Sequence, residues 1–225
     1  MDKVIDFLRQ LQQNNNRDWF EDNKTKYREA IDQFNAFAEK LIAGIGEFDE
    51  TVRGLQVKEC TYRIYRDVRF SKNKEPYKSH MGAYICRGGK KSNYAGYYFH
   101  IEPKNERDFV GQHLMSSGFY LPEPKTLKSL RDEIFDNGER FIAAIKKADG
   151  FRLNMDNVLK KNPVGYPKDS PYSEYLRLKD MYLEQFLSDD FILSPNLLEN
   201  VIAQFRKTKE FLYFVNEASE YAYDN

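Results

Sequence analysis

The chain has 225 residues, 41% of them hydrophobic and 31% charged, so it has enough apolar side chain for a packed interior. Basic and acidic residues number 35 each, and a formal net charge of zero disfavours a protein that binds nucleic acid or membrane through its overall field. Two cysteines are too few for a disulfide framework, and the first residues lack the apolar stretch of a secretory signal. We therefore expect a cytoplasmic protein with no membrane partner.

The first predicted elements are helices. Apolar residues recur at helical spacing over 2–13 and again over 18–44, with Asp18 as the N-cap of the second helix. From Cys60 the pattern changes to β-branched and aromatic residues separated by turn residues, which is typical of strands. The predicted strands lie near 60–70, 80–87, 94–102 and 108–115.

The turn residues at 88–93 predict a hairpin between two of these strands, with Lys90 exposed to solvent. Helical periodicity returns over 124–147, and an irregular connection rich in proline and glycine follows at 150–171. Residues 181–187 are strand-like. A last helix is predicted over 196–221.

This order of elements predicts an α+β fold, in which N-terminal, middle and C-terminal helices flank a central, mainly antiparallel sheet. Neither a linker nor an internal repeat divides the chain. We expect a single domain over residues 1–225. The sequence does not specify an oligomeric state.

Charge is concentrated in residues 58–78, where seven basic and three acidic residues give a local net charge of +4. A strand over 60–70 would turn Arg66 toward apolar neighbours, where an unpaired guanidinium is costly. Glu75 lies in a turn before Pro76 and is not expected to reach back to the arginines. The same turn should return the following residues toward the arginine face. The predicted ligand-binding residues are Arg63, Arg66, Asp67, Arg69, Lys74, Tyr77, Lys78 and His80.

Three interpretations of this cluster stay open. The first is a binding protein for a small ligand with a phosphate or carboxylate group, because Arg offers a bidentate fork and Lys a point charge. The second is an enzyme that uses the same cleft, with Asp67 or His80 in proton transfer and no catalytic residue assigned. The third is a structural ion network. A local +4 on a neutral protein disfavours a long nucleic-acid track.

The three histidines, His80, His100 and His113, fall on different predicted strands, and His100 shares a strand face with Glu102. A three-His or His/Glu metal site is geometrically possible, but the spacing matches no metal motif, so hydrogen-bonded sheet histidines are expected and no metal site is predicted. The sequence also shows no Gly-rich phosphate loop or other cofactor motif. We therefore expect no cofactor, and folding that does not depend on a metal.

The charged segment resembles the signature of a bacterial and fungal family, domain of unknown function 2461. That signature is Arg-x-x-Arg-Asp-x-Arg-Phe-x-x-(Asp/Asn)-Lys-x-x-Tyr, and this chain matches it from Arg63 to Tyr77 without a departure. The segments 15–24, 96–98, 118–124 and 176–180 are also similar to the family pattern. The resemblance spans nearly the whole chain but implies no activity, since none is assigned to the family.

Overall fold

Helices and one antiparallel sheet form the protein, as seen in a computed structural model that describes residues 1–71, 73–105 and 110–224. The α+β class predicted from the sequence is confirmed. The described helices are α1 (Asp2–Gln13), α2 (Arg17–Asp22), α3 (Lys24–Gly46), α4 (Val57–Cys60), α5 (Pro124–Lys147), α6 (Ser173–Leu176), α7 (Asp189–Ile192), α8 (Leu197–Lys207) and α9 (Lys209–Asp224). The strands are β1 (Met81–Ile85), β2 (Gly96–Ile101), β3 (Leu114–Phe119), β4 (Arg152–Leu153) and β5 (Met181–Phe186).

The sheet has the strand order β1-β2-β3-β5-β4, and all its neighbouring strands run antiparallel. The hairpin predicted at 88–93 joins β1 to β2, which confirms that these strands are antiparallel neighbours. In the register of these strands Tyr84 lies opposite Tyr98, and Tyr98 lies opposite Ser116. Because side chains alternate along a strand, these three residues share one face of the sheet.

The other face of the sheet carries the apolar core. Phe99 packs against Phe37 of α3, with ring centres 5.0 Å apart, and Tyr97 packs edge-on against Phe205 of α8 at 5.4 Å. Ser117 of β3 hydrogen-bonds the hydroxyl of Thr208, between α8 and α9, at 2.8 Å. Helices α3 and α8 and the junction of α8 with α9 therefore pack on one face of the sheet, and the opposite face forms a site.

The long helices agree with the prediction, although several are divided. The predicted helix over 18–44 is split at Asn23, and the one over 196–221 is split at Thr208. The predicted N-cap Asp18 is wrong, because α2 begins at Arg17 and the Asn16 side chain accepts from the Trp19 N–H. Helix α5 spans the predicted 124–147 but has a non-helical Asn137. No described helix is both long and apolar enough to span a bilayer.

The predicted strand over 60–70 is wrong. Cys60 ends the short helix α4, and only the isolated bridges Thr61–Ala83 and Tyr65–Tyr77 remain of the predicted pairing. A side chain supplies part of the backbone bonding here: the Asp67 carboxylate accepts from the Arg69 N–H. Such local bonds compete with a β-ladder.

The predicted strand over 108–115 is displaced toward the C-terminus, because β3 begins only at Leu114. Residues 106–109 lie outside the described part of the chain. The prediction for 181–187 is confirmed by β5, and the irregular connection at 150–171 contains only the two-residue strand β4 among its described elements.

Candidate functional site

A pocket of about 780 Å³ opens on the sheet face opposite the apolar core, and Thr126 of α5 and Tyr223 of α9 also line it. Its floor includes Tyr84 of β1, Tyr98 and His100 of β2, Ser116 of β3 and Tyr182 of β5. Small-molecule sites in proteins have volumes of about 300–1,000 Å³. The pocket is therefore large enough for a metabolite-sized ligand.

The alternation of β2 explains why this floor is polar. Tyr97 and Phe99 enter the core, so Tyr98 and His100 between and beside them must face the pocket. Gly82 lies opposite His100, and a Cβ atom at this position would stand 2.8 Å from the Tyr98 hydroxyl oxygen. Because Gly82 has no side chain, the Tyr98 ring has room to lie beside it.

One wall of the pocket is the charged segment, which folds into a short irregular hairpin. The Arg66 N–H donates to the Pro76 carbonyl at 2.9 Å, and the Lys78 N–H donates to the Ile64 carbonyl at 2.8 Å. These two bonds bring Lys78 back alongside Arg66, as the predicted turn requires. Both side chains line the pocket.

Lys78 is the least compensated cation of this wall. Its ammonium lies 5.3 Å from the centre of the Tyr62 ring, and no carboxylate in the described ranges forms an ion pair with it. Burial, followed by the charges of Arg63 and Arg66, lowers the pKa of Lys78. A negative group that entered the pocket would relieve this positive field.

Other charges of the segment are compensated within it. Arg69 is bidentate to Asp67, with a shortest distance of 2.6 Å, and this contact holds the pKa of the Asp67 carboxyl below its usual value. The Arg66 guanidinium lies 3.8 Å from the Glu75 carboxylate. The expectation that Glu75 would not reach the arginines is therefore wrong, because the hairpin folds the 73–76 turn over Arg66.

A chain of hydrogen bonds crosses the floor of the pocket. The Tyr98 hydroxyl lies 2.8 Å from His100 Nδ1, and His100 Nε2 lies 2.9 Å from Glu102 Oε2. Glu102 also accepts from the Ser79 hydroxyl at 2.8 Å and from the Gly111 N–H at 3.0 Å. A carboxylate oxygen only accepts hydrogen bonds, so a proton on His100 Nε2 is the donor that suits this pair.

Four tyrosines of the pocket stay protonated at neutral pH. Burial raises the pKa of Tyr84, Tyr98 and Tyr182, and the effect of burial on Tyr62 has the same direction. Tyr120 packs edge-on against Tyr182 with ring centres 6.1 Å apart. Aromatic faces and neutral hydroxyl donors thus surround the basic wall.

The structure divides the predicted ligand-binding residues into two groups. Those that line the pocket are Arg66, Asp67, Lys78 and His80. Those that do not are Arg63, Arg69, Lys74 and Tyr77. Lys74 donates instead to the Val68 carbonyl at 3.0 Å, and the Tyr77 ring is buried against Phe20.

Sequence reasoning did not find the sheet tyrosines or Lys90. The prediction that Lys90 would be exposed is wrong: it is partly buried, it lines the pocket, and its ammonium lies 5.9 Å from the Tyr62 ring centre. Alternation within the predicted strands 80–87 and 94–102 would have placed Tyr84 and Tyr98 on matching faces. The position of Lys90 depends on the path of the hairpin turn, which the pattern does not encode.

Comparison with known proteins supports a family but no activity. A family model described as a conserved hypothetical protein, DUF2461, matches residues 3–214. Neither the curated proteins nor the solved structures contain a match to the chain.

Proposed function

The chain belongs to the DUF2461 family of conserved hypothetical proteins, and from the geometry of its pocket we propose that it binds a small molecule carrying a phosphate or carboxylate group. The observation that carries this proposal is the position of Lys78. Its partly buried ammonium lies in the pocket beside a Tyr62 face, and no described carboxylate pairs with it. A partly buried cation without a carboxylate partner among the described residues favours an anionic ligand.

Two further cations line the pocket and support an anion-binding site. Arg66 lines it with a guanidinium fork suited to planar oxyanions. Lys90 also lines the pocket, and its ammonium lies 5.9 Å from the centre of the Tyr62 ring. An anionic group between these side chains would meet three positive charges, while the tyrosines would contact the remainder of the ligand.

The experiment that tests this proposal is thermal unfolding with sulfate, phosphate and nucleotides at millimolar concentration. EDTA is present throughout, so that no metal contributes. A ligand that binds only the native state must raise the melting temperature. Ionic strength is held constant with sodium chloride, because general screening would otherwise imitate a specific effect.

The variant for this test is Lys78→Met, which keeps an unbranched side chain, one atom shorter, and removes its charge. Lys91→Met is the matched control, since Lys91 is an exposed lysine in the neighbouring hairpin turn and does not line the pocket. We expect Lys78→Met to lose the anion-dependent shift and Lys91→Met to keep it. Equal shifts in both variants, or no shift in the unmodified protein, would reject the proposal.

A further inference from the structure

Two histidines and a glutamate converge at the pocket. His80, His100 and Glu102 each offer one ligand atom, and these three atoms lie within 4.8 Å of one another. His80 comes from the end of the charged hairpin, His100 from β2 and Glu102 from the residue after β2. Imidazole nitrogens and carboxylate oxygens are the usual ligands of zinc and related metals.

The cluster is held in place by contacts around it. His100 is 1% exposed and Glu102 is fully buried, and Tyr98 fixes the ring of His100 through Nδ1. Ser79 and the Gly111 N–H hold the two oxygens of Glu102. Metal sites in proteins rely on partners of this kind to orient their ligands.

The hydrogen bond between His100 and Glu102 marks where an ion would fit. His100 Nε2 and Glu102 Oε2 are 2.9 Å apart. Two ligands at about 2.0–2.1 Å from a tetrahedral metal are about 3.3 Å apart, so a small opening of this pair admits an ion in place of the shared proton. The Nδ1–H of His100 would then donate to Tyr98.

We propose that His80, His100 and Glu102 bind one divalent first-row transition metal, such as Zn²⁺, at the floor of the pocket. The described residues supply three ligands, and three protein ligands with a further open position are the pattern of catalytic rather than structural zinc sites. Mg²⁺ and Ca²⁺ are disfavoured because they prefer oxygen ligands. This proposal revises the sequence-based expectation of no metal site.

The third histidine does not belong to the cluster. His113 Nδ1 accepts from the Glu102 N–H at 3.0 Å, and its Nε2 lies 3.0 Å from the Asp189 carboxylate. Both ring nitrogens are therefore occupied by protein partners. His113 serves as the matched control for non-specific binding of metal to imidazole.

The test is a titration of metal-free protein with Zn²⁺ alone, without phosphate or any other candidate ligand. Calorimetry should show one equivalent bound. The His80→Ala and Glu102→Gln variants should bind Zn²⁺ at least about 100-fold more weakly, since even the loss of a residue that only supports a ligand costs about 10–100-fold. The control His113→Asn keeps an acceptor for the Glu102 N–H and should bind as the unmodified protein does.

Circular dichroism and the melting temperature of each metal-free variant show whether it is folded. If Glu102→Gln fails to fold, His80→Ala decides the test, because His80 is only partly buried. Titration with Co²⁺ gives an independent readout through its visible absorption, which should require His80. Unchanged Zn²⁺ affinity in His80→Ala, or absence of stoichiometric binding by the unmodified protein, would overturn the metal site.

The metal site stands on different residues from the anion site. Zn²⁺ binding should persist in Lys78→Met, and the anion test contains EDTA, so either proposal can fail alone. If the proposed anion binding is also correct, an oxygen of the bound anion can occupy the open coordination position of the metal. This link between the two sites rests on the proposed function, whereas the metal site itself does not.

Discussion

The ring of Tyr77 stacks on the ring of Phe20, with ring centres 3.9 Å apart and planes inclined by 12°. Tyr77 is 4% exposed, and its backbone exchanges two hydrogen bonds with the side chain of Asn15. These contacts fasten the charged hairpin to the N-terminal helices. They explain why Tyr77 faces away from the pocket that Lys78 enters.

Tyr77→Ala should lower the free energy of unfolding by about 3–5 kcal/mol, because it removes a buried aromatic ring and leaves a cavity. Tyr77→Phe keeps the stacked ring and should change stability little. Urea unfolding measures both. Tyr213→Ala, at a tyrosine that is 63% exposed, is the control and should stay within about 0.5 kcal/mol. A large loss of anion binding in a stably folded Tyr77→Phe protein would instead place the Tyr77 hydroxyl in the site.

Gly118 of β3 should tolerate no side chain. Its φ is +135°, and a Cβ would stand 2.2 Å from the Met181 carbonyl oxygen of the neighbouring strand. Gly118→Ala should therefore destabilise the fold by about 3 kcal/mol or more. Gly165→Ala is the matched control, since Gly165 also has a positive φ of +97° but nothing within 4 Å of its added Cβ. Equal costs in thermal unfolding would show that backbone strain alone matters.

The hydroxyl pair Ser117 and Thr208 should show strong coupling. Both side chains are fully buried, and Thr208 also donates to the Phe205 carbonyl at 2.9 Å. Thr208→Val leaves the Ser117 hydroxyl without this partner and should cost about 1–3 kcal/mol. Adding Ser117→Ala removes the orphaned hydroxyl, so the double variant should be more stable than Thr208→Val alone. A double-mutant cycle measures the coupling, and additive effects would contradict it.

Cys60 and Cys86 should be unreactive in the folded protein. Burial raises the pKa of the Cys60 thiol to about 12, and burial also raises that of Cys86. The thiolate is the reactive form, so Ellman's reagent at pH 8 should modify both only after unfolding. An unfolded Cys60 ionises near pH 9, so its contribution to stability is lost as the pH rises from about 9 to 12. Rapid labelling of the native protein at pH 8 would refute the buried placement.

The helices and three of the strands were predictable because their signals are local. The apolar periodicity of 2–13 and 124–147 specifies which helix face is buried, whatever the partner. Alternation in 94–102 similarly specifies that Tyr97 and Tyr98 point in opposite directions. That residues 1–225 form one domain stays a prediction, since the family match and the fold class do not test it.

The charged segment could be recognised from the sequence, but its conformation could not be predicted from the sequence. Its +4 charge is a property of composition, whereas the pairing of Arg66 with Glu75 and the lack of any ion pair for Lys78 among the described residues depend on the hairpin path. Pattern reasoning assigned a strand because the segment is rich in Tyr, Ile, Val and Phe. Local hydrogen bonds, such as the one that the Asp67 carboxylate accepts from the Arg69 N–H, compete with strand pairing, and the segment does not form a strand.

The sequence alone determined the helical and strand periods, the family resemblance and the excess of positive charge in residues 58–78. Each of these depends on residues that are close together along the chain. Only the tertiary structure decided which cations face a cavity and which histidines meet. His80 and Glu102 are 22 positions apart, and they converge because β1 and β2 pair antiparallel with Gly82 opposite His100. A register of that kind depends on packing across the whole sheet, which no local pattern contains.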